Sequence, residues 1–84
     1  MSTLASDDEI GHLISRVALG DRNAFSSLYR DTSPKLFGVC LRILRQQAQA
    51  EDALQDIYVK IWRRAASFAA GKSAPMAWLV TIAR

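Results

Sequence analysis

The segment AEDALQDIYVKIWRR, Ala50 to Arg64, carries two patterns at once. Ala50, Ala53, Leu54, Ile57, Tyr58, Ile61, Trp62 and Ala65 follow the three-and-four alternation of one side of an α-helix, which predicts a helix with an unbroken apolar stripe. Ile57 and Ile61 lie at the centre of that stripe and are predicted to face a second helix through residues such as Phe37 and Leu41. Trp62, at its edge, is predicted to be core and to close the helix against the loop that follows. The opposite side holds Asp52, Gln55, Asp56, Lys60 and Arg63 around an apolar Val59. A purely solvated face scatters Lys and Glu; two carboxylates, an amide and two bases around a β-branched residue read as a docking surface. Asp52 and Asp56 are four apart, and like charges at that spacing cost about 0.2–0.5 kcal/mol in an isolated helix. Two reasons fit: placement in the first two turns, where the helix dipole favours acids, or a basic partner surface that relieves the repulsion.

Moving outward, the chain reads as four helices and no strand. Ser6 is a candidate N-cap for the first, with Glu9 as its capping-box partner. The apolar face of this helix is Ile10, Leu13, Ile14, Val17 and Ala18, and Gly20 is a natural stop. Asp21 or Asn23 caps a second helix bearing Ala24, Phe25, Leu28 and Tyr29. Pro34 either opens a separate helix behind a Ser33 cap or bends one long helix. Beyond it come Leu36, Phe37, Val39, Cys40, Ile43 and Leu44, to about Arg45. Gln46-Gln47 leads into the helix quoted above. Ala66 to Lys72 is expected to be a loop, and a last helix starts between Ser73 and Pro75 with Met76, Leu79, Val80 and Ala83 on its apolar side. That stripe is still running at Arg84, so the expectation is one domain over 1–84, cut within its last helix.

Half of the 84 side chains are apolar, enough for one small domain that buries only about two-thirds of its unfolded surface. No segment approaches the roughly twenty apolar residues of a membrane span. The acidic N-terminus (Asp7, Asp8, Glu9) is not a secretory signal, and the chain reads as cytoplasmic. Cys40, the single cysteine, sits in an apolar run and reads as a buried structural thiol. One His and one Cys make no zinc set, and nothing spaces a nucleophile, base and orienter. Gly71-Lys72-Ser73 lacks the upstream glycine and strand of a phosphate-binding loop. No enzymatic role, metal or cofactor is expected. The net charge of +3 is modest, but its distribution is uneven. Val59 to Arg84 holds five bases (Lys60, Arg63, Arg64, Lys72, Arg84), no acid, and the aromatics Trp62, Phe68 and Trp78. Such a composition suits single-stranded nucleic acid, but charge alone favours an ordinary solvated basic face.

F-x-x-L-Y (Phe25 to Tyr29), the apolar run of the second helix, A-E-D-x-x-Q-D-x-[FY]-x-[KR]-x-W (Ala50 to Trp62) and A-W-L-x-x-I-A-R (Ala77 to Arg84) occur in one order across about sixty residues. In motif and spacing this series resembles region 2 of the extracytoplasmic-function (ECF) sigma factors of bacterial RNA polymerase. The resemblance implies an all-α bundle of three to four helices, with a single bent second helix. It implies a core-polymerase-binding face, carried here by Asp52, Gln55, Asp56, Val59, Lys60 and Arg63, that grips clamp helices of the largest polymerase subunit. It implies also that the segment from Phe68 to Met76 and the start of the next helix capture an unpaired base of the −10 element in the non-template strand. In that role Trp78 walls the base, Ser73 and main chain near Gly71 read its edge, and Lys72 and Arg84 meet phosphates. Read without the resemblance, Trp78 is as well placed in the core. The family implies an anti-sigma partner and a second, −35-reading domain that this chain lacks. The competing reading is a helical protein-interaction module with no nucleic-acid role.

Overall fold

The structure, a computed structural model, describes residues 6–68 and 74–83. Within them the chain forms helices α1 (Asp7–Ala18), α2 (Arg22–Leu44) and α3 (Gln47–Arg64), a 3-10 turn (Ala65–Ser67) and helix α4 (Pro75–Ala83), with no strand among the described residues. The all-α bundle expected from the sequence is the fold observed. The expected loop after α3 begins one turn later, because the 3-10 turn carries the buried Ala65 into the core first.

Local chemistry sets the first two helix ends. The Ser6 hydroxyl accepts the Glu9 amide at 3.2 Å and the Glu9 carboxylate accepts the Ser6 amide at 3.1 Å, the reciprocal capping box. At the α1–α2 corner Gly20 takes a φ of +86°, a region open to glycine at no steric cost. Asp21 then serves both helices. Its Oδ1 accepts the Ala24 amide at 3.0 Å and so caps α2, while its Oδ2 accepts Arg16 Nη2 at 2.7 Å. The Ala24 amide first, and the Arg16 guanidinium second, hold the Asp21 carboxyl below the usual carboxylate range. Of the two candidate caps, Asp21 is the one used.

α2 is a single helix with Pro34 inside it. The missing amide leaves the Arg30 carbonyl without its helical donor, and both Arg30 and Pro34 are exposed, so water can satisfy that oxygen. The buried residues of α2 are Ala24, Leu28, Thr32, Leu36 and Cys40, each four after the last. At about 100° per residue a strict repeat of four advances about 40° per step. The buried line therefore winds round α2, which packs against α3, α1 and α4. Beyond Cys40 the helix outruns its neighbours. Leu41, Ile43 and Leu44 are exposed, so Leu41 is not the partner of the α3 stripe that the sequence suggested. Ala18, placed on the apolar face of α1 by periodicity, is exposed as well.

The core joins Ile10, Ile14 and Val17 of α1 to that α2 line, to Ala50, Leu54, Ile57, Tyr58 and Ile61 of α3, and to Leu79 and Ile82 of α4. Cys40 is buried among them and burial pushes its thiol pKa up, which keeps it unreactive. Thr32 is the one fully buried polar side chain among the described residues. Its hydroxyl donates to the Leu28 carbonyl at 2.6 Å and is also paired with the Tyr58 hydroxyl. Since threonine has a single O–H, the phenol is the donor in the second bond.

That chain of donors sets a prediction. Tyr58→Phe removes one bond and leaves Thr32 satisfied, so it is expected to cost about 1 kcal/mol; Thr32→Val strands the buried phenol and is expected to cost about 1–3 kcal/mol. Burial raises the Tyr58 pKa from 10.0 to about 12. A raised folded-state value gives stability that is whole below the unfolded pKa and disappears as pH climbs through the folded one. Denaturant melts should therefore weaken between about pH 10 and pH 12, and less so in Tyr58→Phe. Equal cost for the two variants would show that the phenol does not depend on Thr32.

Candidate protein- and nucleic-acid-binding faces

α3 presents its two sides as the sequence divides them. Ala50, Leu54, Ile57, Tyr58, Ile61 and Ala65 are buried and Ala53 is half-buried. Asp52, Gln55, Asp56, Val59, Lys60 and Arg63 are all exposed, Val59 at 49%. Among the described residues none of these four charged groups forms an ion pair; the pairs present are Arg16–Asp21 and Arg30–Asp31. The dipole explanation for the two aspartates fails on position. α3 begins at Gln47 and has no acid in its first turn, so Asp52 is its sixth residue and Asp56 its tenth. The dipole's influence fades within one turn. Among the described residues no ion pair relieves their repulsion.

Beside this polar face runs a groove between α2 and α3 that periodicity alone does not reveal. It measures about 620 Å³ and is lined by Phe25, Tyr29, Tyr58 and Trp62 together with Arg22, Ser26, Gln55 and Val59. Ring contacts join the aromatics: Phe25 meets Trp62 edge to face at 5.1 Å between centroids, and Tyr29 lies tilted at 57° to Tyr58 at 4.6 Å. Trp62 is 38% exposed and lies against α2 through Phe25. Its expected place in the core, against the following loop, is corrected accordingly. The signal was present in the sequence as two aromatic pairs four apart, Phe25/Tyr29 and Tyr58/Trp62, since residues at that spacing share a helix face. Gln55 and Val59 belong to both surfaces, so the groove and the polar face are continuous.

At the other end, Phe68 and Trp78 meet at 5.3 Å between centroids with the rings at 60°. Both are half-buried and packed against the core, as is Met76. Pro75 lies over Gly11, close enough that a methyl there would touch its ring at 3.4 Å, which fixes the start of α4 on α1. Trp78 therefore packs against the core and keeps a partly open edge. Gly71, Lys72, Ser73 and Arg84, the other residues assigned to base capture, lie outside the described residues. No group of three or more His, Cys, Asp or Glu that could hold a metal occurs among the described residues, and no helix there is long and apolar enough to cross a membrane. His12 is exposed.

A family model described as Sigma-70 region 2 matches residues 28–84, more than half of the chain. The chain belongs to the sigma-70 region 2 family. Its relatives include proteins named ECF RNA polymerase sigma factor SigK. That of Mycobacterium ulcerans is 37% identical over 76 residues, covering 90% of this chain and 41% of the relative. That of a Mycobacterium tuberculosis strain is 38% identical over 80 residues, covering 95% and 42%. A third, from a Mycobacterium species, is 41% identical over 71 residues, covering 84% and 37%. This sigma region-2 domain thus spans about two fifths of the length of the curated relatives it matches. No solved structure matches it significantly.

Proposed function

We propose that this domain acts in transcription initiation as the core-binding and promoter-melting part of an alternative sigma factor. In this role the outward face of α3 and the adjoining aromatic groove dock on the clamp helices of the largest polymerase subunit. The observation that carries the reading is the α3 face itself: four charged side chains, none in an ion pair among the described residues, and an exposed valine, bordering four aromatic rings. Interfaces draw their affinity from such a pairing of buried aromatic anchors with a polar rim. The groove supplies anchors and the aspartates supply a rim suited to a basic helix pair. Catalysis stays with the polymerase. An anti-sigma protein covering these faces would hold the domain inactive, and a cytoplasmic location follows from the same role.

The segment from Phe68 to Trp78 is assigned to capture of a −10 base in the non-template strand. Support comes from the Phe68–Trp78 contact, a pair of half-buried aromatic rings from residues that flank Gly71, Lys72 and Ser73 in the sequence. The test is open-complex formation by holoenzyme, assembled from core polymerase and the protein carrying this domain, on promoters varied one base at a time. Exchanging Ala69–Pro75 for an unrelated segment of equal length is expected to change which base is preferred, whereas Lys72→Ala should weaken all promoters alike, as loss of a phosphate contact does. A preference profile that survives the exchange would reduce the segment to a connector and Trp78 to core. Holoenzyme that opens no promoter would remove the initiation role altogether.

A further inference from the structure

A second groove, of about 410 Å³, lies between the middle of α2 and the outer side of α4, lined by Lys35, Met76, Ala77, Val80 and Thr81. Its walls are apolar apart from one cation and one hydroxyl, and the Thr81 hydroxyl already donates to the Ala77 carbonyl at 2.8 Å. Lys35 is exposed and forms no ion pair among the described residues. Asp31, one turn earlier and the acid placed to pair with it, sits 3.6 Å from Arg30 instead. Lys35 is also more than two turns from the end of α2 at Leu44, beyond the reach of the helix dipole. No ion pair or helix end among the described residues accounts for a cation at this point.

Toward the C-terminal end of α2 its surroundings are consistent in sign. Residues 32–50 contain Lys35, Arg42 and Arg45 and no acid, and no acid occurs from Val59 onward. Seven residues separate Lys35 from Arg42, which brings them to the same side of α2, about 10 Å apart along its axis. Gly38 lies between them, exposed, and a Cβ there would meet nothing within 4 Å. The result is a strip with a cation at each end and no side chain at Gly38 between them, opening at Lys35 onto the apolar wall of α4. A strip of this kind fits a chain of anions with apolar faces between them. Single-stranded nucleic acid has that chemistry, its phosphates meeting the two cations and its sugar and base faces lying on the wall.

We propose that Lys35 and Arg42 form a phosphate track along α2 that extends the path of the single strand away from α4. The inference rests on the assignment of α4 to strand binding, and deepens it by adding two contacts on a different helix. These contacts read no base. They position the strand, and they should act on every sequence equally.

The experiment measures the Kd of a fluorescent non-template oligonucleotide for holoenzyme across a salt series, with a −10 sequence and with a scrambled one. Each phosphate contact to a single strand contributes about 0.7 to the slope of log affinity against log salt. Lys35→Ala should bind both oligonucleotides more weakly by the same factor, and its deficit should shrink about fivefold for each tenfold rise in salt. Lys35→Arg should retain the wild-type slope, and the Lys35→Ala/Arg42→Ala pair should lose about 1.4 from it. Affinity for core polymerase, measured separately, should stay unchanged. A slope that does not move overturns the track, even where wild-type holoenzyme still discriminates the −10 sequence. A deficit seen in core binding instead of strand binding also overturns it, and assigns this face to a protein contact. Wild-type holoenzyme that binds both oligonucleotides alike would overturn base capture, and the track would then be decided by the slope alone.

Discussion

Ile61→Ala is expected to remove a large share of the stability of this domain. Ile61 is fully buried, in one cluster with Ile14, Leu28, Leu36 and Leu79. Truncation of a buried isoleucine costs about 2–5 kcal/mol, the upper end applying where neighbours cannot collapse into the void. Domains of this size typically hold about 5–15 kcal/mol in total and shift by about 4–8 °C per kcal/mol. A fall in Tm of at least 10 °C or so is therefore anticipated in thermal melts followed by far-ultraviolet circular dichroism. Val59→Ala, on the same helix but 49% exposed, should stay within about 0.5 kcal/mol of wild type. Similar melts for the two variants would mean that α3 is turned the wrong way.

The opposite side of α3 should show the reverse pattern, large in binding and small in folding. Reversing charge at Asp52 and Asp56 together is expected to weaken binding to core polymerase by about 1 kcal/mol per site, or roughly thirtyfold in Kd for the pair. A larger loss would indicate that the carboxylates are desolvated in the complex. Trp62→Ala tests the groove beside them, and a central aromatic anchor is typically worth about 2 kcal/mol or more. The double charge reversal should leave the melt almost unchanged, since neither aspartate pairs with anything among the described residues. Titration of labelled protein against core polymerase is the measurement. Unaltered affinity in both variants would detach α3 from the clamp.

How far these faces were legible in the sequence depended on the helix. α3 is simple in its chemistry: one stripe and one polar side, both read from periodicity except at Trp62. α2 is not, because its buried line repeats every four residues and winds round a helix that packs against three others. Averaged over 23 residues, such a helix has no single apolar side, and the exposure of Leu41 escaped the sequence for that reason. Thr32 was invisible for another. A lone threonine in a helix usually points to solvent or bonds back to its own backbone, and only the fold shows a phenol from α3 arriving at the same hydroxyl. Trp62 belonged to the stripe by angle, yet Phe25 holds it at the rim. The polar face of α3 needed no partner to be recognised, whereas the groove beside it exists only once two helices are laid together.

Tyr58 is both a strut and a wall. Its hydroxyl is fastened to Thr32 in the interior while its ring borders the groove. A partner that fills the groove therefore rests on the side chain that holds α3 to α2, and binding there tightens the fold by mass action. The free domain is then the more fragile form, and the one whose transient openings proteases can reach. Turnover of the unassembled protein would follow the supply of vacant polymerase, with the same ring setting both how firmly the domain docks and how long it survives undocked.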